Sequence, residues 1–167
     1  MSKGSRRRVP ASVRLVFAAV LLAGCSTIEC PLNNTVVTNY ALGGEMKTLT
    51  SALTITADIG DGNDSVVLNR ASGVATFSLP ISHQRPADTF FLAMARGDSI
   101  TEHDTIVVFK TDVPHFESVD CAPAFFHTIT GVDYTRHAID SVVINNPNVS
   151  YDVSQPTFKI YFKSNIR

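Results

Sequence analysis

Lys47-Thr48-Leu49-Thr50-Ser51-Ala52-Leu53-Thr54-Ile55-Thr56-Ala57 sets the fold class of this chain. Leu49, Leu53, Ile55 and Ala57 fall on one side of an extended backbone and Thr48, Thr50, Thr54 and Thr56 on the other, the period of two that marks a half-buried β-strand. The next residues, 58–64, hold Gly60, Gly62 and Asn63, which suit the positive backbone angles of a tight hairpin loop. Strands over 64–69 and 74–79 follow, separated by Ala71-Ser72-Gly73. On the other side, 35–41 reads as a short strand ended by Gly43-Gly44.

The same period continues to the C-terminus, and nothing keeps the helical period for more than about two turns. Residues 80–88, with Pro80 and Pro86, read as a connection crossing between sheets. Strands are expected over 89–95 and 105–111, with Arg96-Gly97-Asp98 between them as a turn. Residues 124–134 make one or two strands and 139–145 another, followed by a turn at Asn146-Pro147-Asn148. A final strand over 157–162 alternates Phe158, Ile160 and Phe162 with Lys159 and Tyr161, the pattern of a one-faced strand near an edge. Eight to nine short strands with turn signals at sandwich-like spacing predict an all-β, antiparallel β-sandwich, immunoglobulin-like or a related Greek key. A small barrel is the alternative. The chain has no tryptophan, a departure from antibody-type domains.

Ahead of this domain, residues 1–24 carry Lys3, Arg6, Arg7, Arg8 and Arg14 before an apolar run from Leu15 to Ala23, with no acidic residue. That is the pattern of a secretory signal, and the run is about half of the roughly 20 residues a permanent membrane helix needs. Leu22-Ala23-Gly24-Cys25 resembles the lipobox of bacterial lipoproteins, which implies that Cys25 is lipidated and becomes the first residue after cleavage. The organisation expected is therefore a signal over 1–24, a lipidated tether over 25–30 and one domain over 31–167. The whole chain has 14 basic and 15 acidic side chains, and five of the basic ones lie in the signal. The remainder is distinctly acidic, which argues against nucleic acid as a partner, since such binding needs a basic patch.

Two further cysteines, Cys30 and Cys121, read as a disulfide in an oxidising envelope compartment. Closing so long a loop stabilises a fold by roughly 4 to 5 kcal/mol in the chain-entropy model. Asp followed by Ser or Thr and an apolar residue recurs at Asp64-Ser65, Asp88-Thr89, Asp98-Ser99, Asp104-Thr105 and Asp140-Ser141. An aspartate there can bond to the backbone of its turn as the chain enters a strand. The pattern also resembles the O-glycosylation sequon of envelope proteins in the Bacteroidota, which would place sugars on Ser65, Ser99, Thr105 and Ser141. Phe90 departs from the sequon at Asp88-Thr89.

Cys30-Pro31-Leu32-Asn33-Asn34-Thr35, the run DSVVLNR at 64–70 and the stretch 114–151 are similar to small envelope lipoproteins of the Bacteroidota with no assigned activity. The resemblance covers nearly all of the chain after the signal. It implies an outer-membrane location, with a periplasm-facing anchor favoured because Ser26-Thr27-Ile28-Glu29 carries a single acidic residue.

No stretch specifies a cofactor or a reaction. Asp58, Asp61, Asn63 and Asp64 crowd oxygens into one loop, but their spacing lacks the distal glutamate of a calcium loop. His115, Glu117, Asp120 and His127 do not have zinc spacing, and no Gly-x-Ser-x-Gly turn is present. The function expected is a membrane-anchored, non-enzymatic binding or assembly module with an envelope protein partner. Sugars are disfavoured as ligands, because only Tyr40, Tyr134, Tyr151 and Tyr161 offer stacking surfaces with a polar tip. The alternative is an envelope hydrolase with a site near His115, Glu117 and His127, which requires those three to converge in one pocket.

Overall fold

The computed structural model describes residues 35–96 and 100–164. The chain divides after Cys30 into Met1–Cys30 and Pro31–Arg167, and every described residue belongs to the second unit. The signal, Cys25, Cys30, Ser99 and the Gly97-Asp98 turn lie outside the described residues.

Ten strands form the domain: β1 (Val37–Leu42), β2 (Leu53–Ala57), β3 (Ser65–Ala71), β4 (Thr76–Pro80), β5 (Ala87–Arg96), β6 (Ile100–His115), β7 (Ala124–Tyr134), β8 (Ile139–Ile144), β9 (Asn148–Val149) and β10 (Phe158–Phe162). They make a four-stranded sheet in the order β4-β1-β10-β8 and a six-stranded sheet in the order β3-β2-β5-β6-β7-β9. All pairings are antiparallel except β1 with β10. This is the β-sandwich that the alternation predicts.

Each sheet turns one apolar row inward. Tyr40, Phe77, Leu79, Phe158 and Ile160 come from the smaller sheet, and Leu53, Ile55, Phe90, Leu92, Met94, Ile106 and Val108 from the larger, all in one buried cluster. The chain crosses repeatedly between the sheets, as at residues 81–86, where a crossing is expected, and again between β7 and β8. The β2–β3 hairpin forms as expected, with Gly60 at φ 86° and Gly62 at φ 81°, while Asn63 does not take a positive φ. Gly43 is required for a different reason: a Cβ there would stand 2.5 Å from the ring of Tyr161.

One expected strand is shortened and one short strand is new. The alternation over 47–57 becomes strand only from Leu53, because Leu49 exchanges its backbone hydrogen bonds with Gly73 and Val74 in loop geometry while its side chain still enters the core. The alternation reports burial of one face, and that does not require a ladder. β10 lies one place in from the rim, between β1 and the edge strand β8, in keeping with a strand near an edge. Edge or centre is a property of backbone pairing, which face alternation does not encode. The short β9, which pairs with His127 and Thr128, was not expected, since two residues carry no period.

Candidate functional site

On the inner face of the larger sheet, the apolar row is interrupted by charge. In β5 the buried series is Asp88, Phe90, Leu92, Met94; in β6 it is Asp104, Ile106, Val108, Lys110. Asp88 stands opposite Val108, so Lys110, two residues on, shares its face. A bulge after Phe109 resets the pairing with β7 and brings Asp112 opposite His127. Four ionisable side chains from three strands thus meet at one end of the sandwich.

Lys110 is the centre of the group, with a fully enclosed side chain. Its Nζ donates to the backbone carbonyl of Arg85 at 2.6 Å and to Asp112 Oδ1 at 3.2 Å, and stands 3.6 Å from Asp88 Oδ2. Asp88 Oδ2 also accepts the Ser82 N–H at 3.2 Å, and Arg85 lies 3.6 Å from Oδ1. His127 Nδ1 meets Asp112 Oδ1 at 2.6 Å.

Burial pushes the Asp88 carboxyl above the ordinary aspartate range, and Lys110, Ser82 and Arg85 pull it back only in part. Burial acts the same way on Asp112, but hydrogen bonds from His127 and Lys110 outweigh it and hold that carboxyl low. Burial lowers His127 despite the nearby carboxylate. A neutral His127 ring then carries its proton on Nδ1 and donates it to Asp112. The arrangement favours the neutral acid at Asp88 and the ionised form at Asp112, with both carboxyls beside the same amine.

Two cavities flank the group. One of about 320 Å³ is lined by Ile81, Ser82, Arg85, Asp88 and Phe90 among others. The second, about 220 Å³, is lined by Thr35, Val36, Ile81, His83, Phe125 and His127.

The side chains singled out in the sequence are distributed differently. His115 pairs with Glu117 at 3.1 Å and stacks on Phe126. Because Phe126 and His127 are neighbours in a strand, their side chains point to opposite faces, and His127 lies with Asp112. His115, Glu117 and His127 therefore do not share a pocket. Asp58 and Asp61 accept the N–H of Gly60 and Asn63 within their own loop. Among the described residues no group of three His, Cys, Asp or Glu side chains could hold a metal ion. Tyr40 is wholly buried, which removes it from the candidate stacking surfaces. Cys121 is buried and is not free.

The Asp-Ser/Thr pairs divide in two. Asp64, Ser65 and Asp140 are exposed and Ser141 is half-buried. Asp88 and Asp104 are interior; Asp88 accepts from Ser82 in the connection that leads into its own strand, whereas Asp104 bonds to residues 137–139, far along the chain. Thr105 is half-buried in mid-strand, where its N–H donates to Thr135 Oγ1. The charge cluster itself escaped sequence reasoning. Its available signal was phase: Asp88 and Lys110 occupy positions in step with buried apolar residues.

Fold and site together define an all-β sandwich of two antiparallel-rich sheets with a charge cluster in its interior. The chain belongs to a family of unknown function, DUF6452, whose model matches residues 52–162. No curated protein and no solved structure matches the chain. The match begins after β1, although β1 is a central strand of the smaller sheet.

Proposed function

We propose that the protein is a lipid-anchored module of a bacterial envelope, a non-enzymatic binding or assembly component related to small lipoproteins of the Bacteroidota. The observation that carries this reading is Leu22-Ala23-Gly24-Cys25 closing a basic and then apolar leader. In this reading Cys25 takes the lipid and Cys30 bridges to Cys121, so the domain stands close to its membrane. The buried, engaged state of Cys121 supports the bridge. Partner contact falls to exposed apolar side chains on the loops, among them Phe116, Val119 and Tyr151. Ser65 is the glycosylation candidate best supported by exposure, followed by Ser141.

Metabolic labelling with an alkyne fatty acid tests the anchor. Label is expected on the native protein and not on Cys25→Ala, whose leader remains uncleaved. An unlabelled native protein with normal processing defeats the proposal.

A further inference from the structure

We propose that Lys110 and Asp88 join covalently, through an amide bond between Lys110 Nζ and Asp88 Cγ, with Asp112 as the proton acceptor. This modification is independent of the anchoring reading. Three features of the cluster converge on it. The amine and the carboxyl come from neighbouring strands and are held 3.6 Å apart, nitrogen to oxygen, with side-chain exposures of 0% and 5%. That dryness favours condensation, because the leaving group is water and the reverse reaction needs water. A second carboxylate, Asp112, sits 3.2 Å from the same nitrogen and is steadied by His127.

The step balances without a cofactor. Lys110 passes one ammonium proton to Asp112 Oδ1, which frees the nitrogen lone pair. The lone pair attacks Cγ of Asp88 in its neutral acid form, the form that burial favours. The Ser82 N–H and the Arg85 guanidinium stand at the Asp88 oxygens, where charge develops in the tetrahedral intermediate. Asp112 returns that first proton to the departing hydroxyl, the Cγ–OH bond breaks and water leaves, and Asp112 then takes the second proton from the nitrogen and releases it to solvent, which offsets the proton Asp88 took up to become the neutral acid. Counting from the ammonium and the carboxylate, the Nζ–Cγ bond forms, one C–O bond breaks, two protons leave with the oxygen, and no electrons are gained or lost.

Asp88 is the electrophile and Asp112 is not. Asp112 is more exposed and is held as an anion by its bonds to His127 and Lys110. An anion resists attack by an amine. The division of labour follows from environment: the drier carboxyl reacts and the better-bonded one moves protons.

Peptide mapping of the reduced full chain by mass spectrometry tests this. Trypsin is expected to miss Lys110 and to release residues 71–96 joined to residues 97–136, lighter by one water than the two peptides together. Separate, unmodified peptides 71–96 and 97–110 overturn the proposal, and fragmentation that locates the bond at Asp112 overturns the choice of electrophile. Lys110→Ala and Asp88→Ala should each abolish the joined species. Asp112→Ala, with folding checked by circular dichroism, keeps both reacting groups and should also lose it. Persistence of the bond there removes Asp112 from the mechanism. Mapping of the wild-type chain decides the central claim even where a variant does not fold.

Discussion

Asp88 and Asp104 lie on adjacent strands, precede a threonine, and are each 4% exposed, yet the protein shifts their acidities in opposite directions. Asp104 accepts three backbone N–H bonds, from His137, Ala138 and Ile139 at 2.7 to 2.8 Å, and one from the Thr135 hydroxyl at 2.6 Å. Those bonds overcome burial and hold its carboxyl low. Asp88 has one backbone N–H at 3.2 Å and two cations at 3.6 Å, and burial prevails. Equal exposure thus accompanies unequal acids: Asp104 has more short, directed donors, and the burial penalty weighs more on Asp88. Asp104 is a structural clasp: its donors belong to the connection that carries the chain from β7 in one sheet to β8 in the other.

The largest expected effect follows from removing that clasp. Asp104→Ala leaves several backbone donors unpaired in the interior and should cost about 4 kcal/mol, at roughly 1 to 3 kcal/mol per unsatisfied group with partial relief by water. The loss should depend on pH in a definite direction. A folded-state pKa below the unfolded value of about 3.9 means the stabilisation is complete above that value and disappears as pH falls through the folded pKa. Urea unfolding at about pH 7 and again in strong acid should show the gap between wild type and variant closing. A gap that survives in acid would show that Asp104 acts through packing rather than charge.

Much of this architecture was legible in the residue pattern, and what was not has physical reasons. Alternation at Leu53 and Ile55, or Phe158 and Ile160, reports which face is dry, so strands and sandwich could be read directly. It is silent on the neighbour along the backbone edge, so the parallel partner of β10, β1, is not legible in it. The cluster depends on the bulge after Phe109 and on pairing between β6 and β7, neither of which is written within one strand. His115, Glu117 and His127 are close in sequence, but strand alternation separates them.

A smaller effect is expected from Lys110→Met, which takes the cation from Asp88, with wild-type chain in which the two side chains are still separate as the comparator. Asp88 can become neutral at modest cost, so the loss should be about 2 kcal/mol near neutrality, short of what a stranded buried charge would impose. Its pH dependence should run opposite to that of Asp104. A folded pKa raised further by loss of the cation means stability is intact below about pH 3.9 and is lost as pH rises through the folded value. The gap between variant and wild type should therefore widen from about pH 4 to about pH 7. A gap that narrows would place Asp88 in the same class as Asp104.

The smallest effect should come from Tyr40→Phe. The Tyr40 ring is stacked between Phe77 and Phe158, with centroids 5.0 and 4.8 Å away, and it is wholly buried. Among the described residues its hydroxyl is the buried side-chain polar atom without a hydrogen-bond partner, and Thr38, on the same face, donates its own hydroxyl to Leu79 O. Burial raises the phenol well above its usual range, and the neighbouring Thr38 hydroxyl offsets only part of that. Removing the hydroxyl while keeping both stacked contacts should change stability by less than about 1 kcal/mol, with a gain as the expected sign, since an unpaired buried polar group is itself a cost. Tyr40→Ala, which empties the stack, should lose about 3 to 5 kcal/mol and confirms that the assay senses this site. If Tyr40→Phe instead costs more than about 1 kcal/mol, the hydroxyl is a donor in the folded protein. Thr38 Oγ1, which can still accept while it donates to Leu79 O, would then be the acceptor to examine.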